Sequence, residues 1–232
     1  MSNLIAIVGA SGCGKSTSLF PNSDLGIKGL NPKETVLINV ASKPLPVRGA
    51  NKLFDYGKKI SEGGNYIETD DPKAIMGILK LVESTRPEIK NVVIDDAGLL
   101  MSFEAMANVN TKGFDKFVAM AANMFNILNT ARKGRKDLYV ICTFHQEKGD
   151  DGLNKIRTLG KMLDSQVYLD SLFTFILYAQ VNRDEKTSEI NYKFQTRSDG
   201  TSTCKSPAGC FKDMYIPNDL GYVVESINTY YN

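Results

Sequence analysis

The chain has 232 residues and a formal net charge of +2, from 28 basic and 26 acidic side chains. Near-neutrality excludes nucleic-acid binding by bulk charge, so any such contact must use a local basic patch. Four cysteines and a single histidine do not make a convincing zinc site, and the length argues against a disulfide framework. The apolar start runs directly into a glycine loop, and no apolar run approaches the ~20 residues of a membrane span. We therefore expect a soluble, cytoplasmic protein with no membrane partner.

Short apolar runs rich in β-branched residues alternate with longer helical patterns along the chain. The runs at 4–8, 35–40, 65–68, 91–95 and 138–144 predict strands, and 174–180 and 192–196 predict a late β-hairpin. Helices are predicted at about 72–83, 99–109, 114–132 and 221–231. The polar, glycine-containing stretch 147–160 is predicted to be a mobile loop. This order predicts an α/β fold in one domain over 1–232, with a mostly parallel central sheet flanked by helices.

The glycine loop, defined here as residues 9–17, matches the pattern G-x-x-x-x-G-K-[ST] in full. Its residues are Gly9, Ala10, Ser11, Gly12, Cys13, Gly14, Lys15, Ser16 and Thr17. It follows an apolar strand, and we expect a helix after it, whose N-terminus would add partial positive charge. Glycines let backbone N–H groups approach phosphate oxygens, Lys15 reaches the β- and γ-phosphates, and the Ser16 hydroxyl ligates Mg²⁺. The loop therefore predicts a site for ATP and Mg²⁺, with Cys13 as a small filler.

Polar side chains follow two of the predicted buried strands. Asp95 closes the strand 91–95, at the edge where ligands bind in open α/β sheets, and is predicted to be the second Mg²⁺ ligand. Asp96 is either the group that orients the attacking water or a turn residue. His145 and Gln146 end the strand 138–144, and either could sense the γ-phosphate, although a lone histidine also serves as a structural hydrogen-bonding group.

Two families with this loop pattern fit the remaining sequence poorly. Transport ATPases of the ABC type need a signature motif before the second-carboxylate strand, and the loose echo at 60–64 comes too early. A nucleotide kinase needs an arginine-rich lid and acceptor motif, but residues 21–33 contain no arginine. The kinase stays as a distant alternative.

The order of motifs resembles the RecA-like P-loop ATPases of bacteriophages, in particular the Sak-type single-strand annealing ATPases. The resemblance covers about residues 4–220. It is carried by the glycine loop, the strands ending at Asp95-Asp96 and His145-Gln146, the late hairpin with Thr203-Cys204-Lys205 after it, and the closing segment 215–220.

This resemblance implies a homo-oligomeric ATPase that acts on single-stranded DNA in phage recombination or replication, in the host cytoplasm. It implies that a basic residue after the late hairpin, Lys205 or else Arg197, contacts the nucleotide of a neighbouring subunit. It also implies that the loop after the sensing strand contacts single-stranded DNA, and the candidates there are Lys148, Lys155, Arg157 and Lys161.

One departure from the RecA-like pattern concerns the water-activating group. Such ATPases carry a catalytic glutamate at the end of an early strand, whereas residues 39–44 contain no carboxylate. Three alternatives stay open. Asp96 could take this role, Glu68 could approach from a neighbouring strand, or hydrolysis could be slow. The departure keeps open an alternative function, an ATP-gated oligomeric binding module with little turnover.

Basic residues are concentrated around the predicted sensing strand. Between residues 131 and 161 there are eight basic and four acidic side chains, and four of the basic ones lie in the run Arg132-Lys133-Gly134-Arg135-Lys136. The run either caps the preceding helix and aids solubility or contacts a phosphate backbone or a neighbouring subunit. If DNA binds, we expect it along this segment.

Overall fold

Nine strands form one mixed sheet in the computed structural model, which describes residues 1–159, 168–183, 188 and 190–232. Their order across the sheet is β3-β2-β4-β5-β1-β7-β8-β9, and β6 pairs with β5 outside this path. The strands β3, β2, β4, β5, β1 and β7 are parallel, whereas β8 and β9 are antiparallel to their neighbours. The predicted α/β class, mostly parallel sheet and late hairpin are therefore confirmed. The strands are β1 Asn3–Gly9, β2 Thr35–Asn39, β3 Tyr66–Glu68, β4 Asn91–Asp95, β5 Tyr139–Lys148, β6 Asn154–Ile156, β7 Phe175–Arg183, β8 Ile190–Gln195 and β9 Tyr215–Pro217.

Four of the five helices in the described residues begin and end close to the predicted positions, and the short first helix was not predicted. They are α1 Ala50–Leu53, α2 Pro72–Thr85, α3 Leu99–Ala107, α4 Asp115–Arg132 and α5 Leu220–Tyr231. Asp71 caps α2 by accepting a hydrogen bond from Lys73 N at 2.9 Å, and Pro72 fits the first turn because its missing N–H needs no partner there. None of these helices is long and apolar enough to cross a bilayer.

The sheet buries apolar side chains on both faces, because side chains along each strand point alternately to the two faces. Leu4, Val92 and Val140 pack on one face against α2, α3 and α4. The neighbouring residues Val93 and Ile141 pack on the other face, against α5 and the segment between β1 and β2. Since successive residues of a strand point to opposite faces, a polar residue near a strand end can be assigned to a face from its position alone.

Two predicted elements are wrong. The glycine loop is followed by a single 3₁₀ turn, Thr17–Leu19, and not by an α-helix, because Pro21 forces Phe20 into an extended conformation. The stretch 147–160 is not simply a loop: β5 continues to Lys148 and pairs with β6, with Glu147 opposite Lys155. Lys161, one of the predicted DNA-contacting residues, lies outside the described residues.

Candidate active site

The glycine loop connects β1 to the short 3₁₀ turn and has two left-handed glycines, Gly12 and Gly14, with φ of 77° and 86°. Gly9 is required for another reason. A Cβ there would lie 2.6 Å from Cys13 Sγ and 2.8 Å from the Ala179 carbonyl oxygen, so no side chain fits. Cys13 is buried, and its burial raises the pKa of the thiol, which accords with a loop filler and not with a nucleophile.

Lys15 holds its ammonium group over the loop. Its Nζ donates to the carbonyl oxygens of Gly9 at 3.0 Å and Ala10 at 2.7 Å, and the residue is only 7% exposed. No acidic side chain of the described residues forms an ion pair with it. A buried, uncompensated positive charge is costly, and an anion bound beside the loop would offset that cost. Lys15 lines a cavity of about 320 Å³ together with Ser16, Asp95, Asp96 and His145.

Asp95 is a buried carboxylate whose recorded partners are hydroxyl groups. Its Oδ1 accepts hydrogen bonds from Thr143 Oγ1 at 2.7 Å and from Ser16 Oγ at 3.2 Å. Burial raises the pKa of Asp95, these hydroxyls lower it, and the neighbouring Asp96 raises it further. The structure thus brings together the two residues predicted to serve the metal, which are 79 positions apart in the chain.

This oxygen-rich pair fits a magnesium ion. Mg²⁺ is held in nucleotide sites by one or two protein oxygens together with water and substrate phosphates, so it needs no cage of side chains. In the described ranges no group of three or more His, Cys, Asp or Glu side chains could hold a metal ion. Ser16 and Asp95 therefore suit a metal that arrives with phosphate, and they do not form a site complete in itself.

The strand register explains why these polar groups meet. Asn39, Asp95, Thr143 and His145 continue the alternation that places Leu37, Val93 and Ile141 on the face shared with the glycine loop. Asp95 lies opposite Asn39, and His145 lies opposite Gly9. The carboxyl ends of four adjacent strands therefore supply one wall of the cavity.

Asp96 turns back into the same cavity because its backbone is left-handed, with φ of 61°. In an extended strand Asp95 and Asp96 would point to opposite faces, and a left-handed residue of this type costs roughly 1–2 kcal/mol. Its N–H donates to Thr143 Oγ1 at 2.6 Å. Its carboxylate pairs with Lys43 Nζ at 3.2 Å and faces His145 Nε2 at 3.6 Å.

The register also separates His145 from Gln146. His145 lines the cavity, whereas Gln146 lies on the opposite face of β5, opposite Ile156 of β6, and is not among the lining residues. Burial and the nearby Lys15 charge lower the pKa of His145, and Asp96 only partly opposes this, so the imidazole is mainly neutral at pH 7. Of these two predicted sensors, only His145 is placed where a bound phosphate would meet it.

Glu68 is not brought into the cavity. It lies opposite Asn39, which in turn lies opposite Asp95, so Glu68 is two strands, or roughly 10 Å, from Asp95. Its Oε1 accepts a hydrogen bond from Tyr66 Oη at 2.6 Å, and that hydroxyl accepts one from Asn39 Nδ2 at 2.9 Å. Glu68 therefore belongs to a polar chain at the β3 edge of the sheet.

The residues predicted to reach a neighbouring subunit are also outside this cavity. The backbone of Lys205 pairs with Ile176 of β7, with N···O distances of 2.9 and 3.0 Å. Burial lowers the pKa of Lys205, and the Asp170 carboxylate opposes that shift. Arg197 is exposed just after β8. Neither side chain lines the cavity of its own chain, and a contact between subunits stays a prediction.

The basic positions divide into two groups at opposite ends of β5. Lys148 and Arg157 are exposed on the β5–β6 hairpin, where Lys155 pairs with Glu147 at 3.6 Å. Arg135 precedes β5, donates to the carbonyl oxygens of Val82 at 2.8 Å and Arg86 at 3.2 Å, and also contacts Ile89 O. A strand of ten residues spans roughly 30 Å, so the segment 131–161 does not form one continuous basic patch.

The sequence-based candidates omit Lys43 and Tyr192, which line the cavity, and Thr143, which contacts Asp95 from beside it. Thr143 connects Asp95 to the Asp96 backbone, Lys43 neutralises Asp96, and Tyr192 of the late hairpin closes one side of the glycine loop. A threonine inside the apolar run 138–144 is a detectable signal, since a buried hydroxyl needs a partner. Lys43 and Tyr192 carry no such signal, because their positions depend on how distant segments fold over the loop.

Comparison with models of known protein families matched none of them, and comparison with curated proteins found no matching relative.

Proposed function

We propose that this protein is a RecA-like P-loop ATPase that binds ATP with Mg²⁺, hydrolyses it and acts on single-stranded DNA. The observation that carries this proposal is the hydrogen bond between Ser16 and Asp95 beside the buried Lys15 ammonium. Burying a carboxylate is costly, so a glycine-rich turn that binds no ligand has no reason to place the Asp95 carboxylate beside Ser16. The phage setting and the DNA pathway rest on the resemblance in motif order.

The proposed chemistry is in-line attack of water on the γ-phosphate. Lys15 and the loop N–H groups would bind the phosphate oxygens, and Ser16 and Asp95 would hold the metal. The Mg²⁺ ion supplies positive charge that offsets the negative charge developing on the phosphate oxygens. Asp96 would orient the water when it is released from Lys43, and the N–H of neutral His145 would donate to a terminal phosphate oxygen.

Contacts between the β5–β6 hairpin and the cavity support a role for DNA. Arg157 N donates to the carbonyl oxygen of His145 at 2.9 Å, so the hairpin that presents Lys148 and Arg157 is bonded directly to the proposed sensor. DNA phosphates bound to these exposed cations would act on the backbone that positions His145. Binding of DNA and hydrolysis of ATP would thereby be coupled.

The test of nucleotide binding is the substitution Lys15→Ala. We expect it to abolish ATP binding measured by isothermal titration calorimetry in the presence of MgCl₂, because it removes the buried charge over the loop. Lys33→Ala, which changes an exposed lysine outside the cavity, is the matched control and should bind ATP like the wild type. Unchanged affinity in Lys15→Ala would show that the site is assigned wrongly.

A second function, an ATP-gated binding module with little turnover, is favoured by one observation. Asp96 lines the cavity at the place where it could orient water, and it is neutralised by Lys43 at 3.2 Å. Steady-state phosphate release with and without single-stranded DNA separates the two functions. Turnover that DNA stimulates supports the ATPase, and binding of ATP without release of phosphate supports the switch.

A further inference from the structure

A second cavity, of about 260 Å³, adjoins the one around Lys15. The two cavities share Gly14, Thr17 and Tyr192. Asp95 lines the first cavity and not the second, whereas Asn218 lines the second and not the first. A single ligand that crosses Gly14 and Thr17 can therefore occupy both, with its phosphate end toward Asp95 and its other end toward Asn218.

Five of the eleven residues that line the second cavity are apolar or aromatic. Leu25 and Ile27 come from the segment after the glycine loop, and Ile190, Tyr192 and Pro217 come from the late hairpin and β9. The first of these segments is held in shape by reciprocal backbone hydrogen bonds of 2.9 Å between residues 22 and 27. Apolar side chains and an aromatic ring beside a few polar groups suit a planar heterocycle better than they suit a phosphate or a sugar.

Asn218 adds a polar group with an unmet hydrogen bond. The residue is only 5% exposed, and its Nδ2 has no partner among the residues that the structure describes. A buried donor without an acceptor is unfavourable, so such groups commonly have a ligand or solvent partner. The neighbouring Asp219 fixes this segment by accepting from Gly29 N at 2.9 Å and by capping α5. The amide is thus presented on rigid backbone, as a group that recognises a ligand should be.

We propose that the second cavity binds the base of the nucleotide, with the Tyr192 ring stacking on it and Asn218 Nδ2 donating to one of its ring acceptors. This inference rests on the proposed function, because the phosphates must first bind at Lys15. The hairpin residue Tyr192 therefore determines affinity for a nucleotide over a bare polyphosphate. Tyr192 also lies against Gly14, where a Cβ would be 3.0 Å from its Cδ1, so the base and the loop share one support.

The test compares ATP with inorganic tripolyphosphate, which carries the phosphates without a base. Calorimetric titrations with MgCl₂ are made on the wild type and on Tyr192→Ala, Asn218→Ala and Leu25→Ala. Tyr222→Ala is the matched control, since Tyr222 is 38% exposed against 41% for Tyr192 and lines neither cavity. Leu25 is 56% exposed, so its substitution keeps the test valid if either of the other two variants fails to fold.

We expect the wild type to bind ATP at least tenfold more tightly than tripolyphosphate. Tyr192→Ala should lower ATP affinity about tenfold, the loss expected for one stacking contact, and lower tripolyphosphate affinity by a much smaller factor. Equal affinity of the wild type for the two ligands, or equal losses for both ligands in Tyr192→Ala, would overturn the base site and leave the phosphate site standing. Binding of neither ligand by the wild type would instead overturn the proposed function itself.

Discussion

At the scale of single residues, Asp95 carries a buried negative charge whose recorded partners are the Thr143 and Ser16 hydroxyls. Two neutral donors stabilise a carboxylate less than a cation does. They do not offset the effect of burial, so the pKa of Asp95 is raised. A group held in this way weakens the fold in the absence of its ligand and strengthens ligand binding. Asp95 is thus a position where stability is given up for function.

We expect Asp95→Asn to stabilise the ligand-free protein. Because the folded-state pKa of Asp95 is raised, the folded protein binds a proton more tightly than the unfolded chain does. The unfolding free energy therefore falls as pH rises from the ordinary aspartate value of about 3.9 through the raised value. Asparagine removes this dependence, and we expect about 1 kcal/mol more stability at pH 7 in urea unfolding without Mg²⁺.

The same variant should lose the extra stability that MgATP gives to the wild type. Asp150→Asn, at an exposed position outside the cavity, is the control and should leave both properties unchanged. A ligand-free Asp95→Asn protein less stable than the wild type at pH 7 would contradict the assignment of a costly buried charge.

Which side chains would lie together was predictable where the pattern is local in sequence or follows from the sheet. Lys15 and Ser16 belong to one contiguous pattern, and Asp95 follows from the rule that ligands lie at the carboxyl ends of parallel strands. The choice between His145 and Gln146 could not be made before the face of β5 was known. Lys43 was not predictable, because its contact with Asp96 spans 53 positions and depends on which strands are neighbours.

At the scale of elements, the β5–β6 hairpin is the main surface candidate for DNA. Its backbone is paired where a loop was predicted. Lys148, the last residue of β5, and Arg157, just after β6, are exposed on it. Lys155 is paired with Glu147 in the same hairpin, so it adds less net positive charge than the sequence suggests.

We expect Lys148→Glu combined with Arg157→Glu to lower the affinity for an oligo(dT) strand about tenfold and to flatten its dependence on salt, because fewer counterions are released. Fluorescence anisotropy over a salt series measures both quantities. The matched control is Lys133→Glu with Lys136→Glu, which makes the same change in charge near the other end of β5. An equal loss in both double variants would show that the hairpin is not the specific DNA-contacting element.

The elements themselves were largely predictable, since strands and helices with continuous or periodic apolar patterns began and ended within a few residues of expectation. The helix expected after the glycine loop is the main failure. Pro21 carried the signal, because the residue before a proline is driven out of the helical region, and Phe20 is extended. The strand extension at Glu147-Lys148 is polar and gave no apolar pattern to detect.

At the scale of the whole molecule, the sheet order leaves β1 between β5 and β7, so the glycine loop lies between the carboxyl end of β5 and the late hairpin. Lys205 pairs along the outer edge of β7, on the hairpin side of the sheet. A neighbouring subunit would have to be reached from that edge, since Lys205 lines no part of the cavity around Lys15 in its own chain.

We expect two inactive variants, Lys15→Ala and Lys205→Ala, to recover ATP hydrolysis when they are mixed. Lys205→Ala alone should lower turnover about 10³-fold, as for other cationic residues supplied by a neighbour. In a mixed oligomer an intact loop can meet an intact Lys205 from another chain, and released phosphate measures the recovery. Mixtures that stay as inactive as the separate variants would show that Lys205 does not act between subunits.

The short turn after the glycine loop bears on when, during synthesis of the chain, the loop becomes structurally supported. The loop has no long helix of its own, and the segment after it is held by Asp219, which accepts backbone N–H groups from Lys28 and Gly29 across about 190 positions. Tyr192 and Asn218 close against Gly14 from the same late part of the chain. A nascent chain in which only the first strands have left the ribosome thus has the complete motif but lacks these supports. The proposed nucleotide binding would therefore be acquired at a late stage of synthesis, once the residues up to Asp219 are available to support the loop.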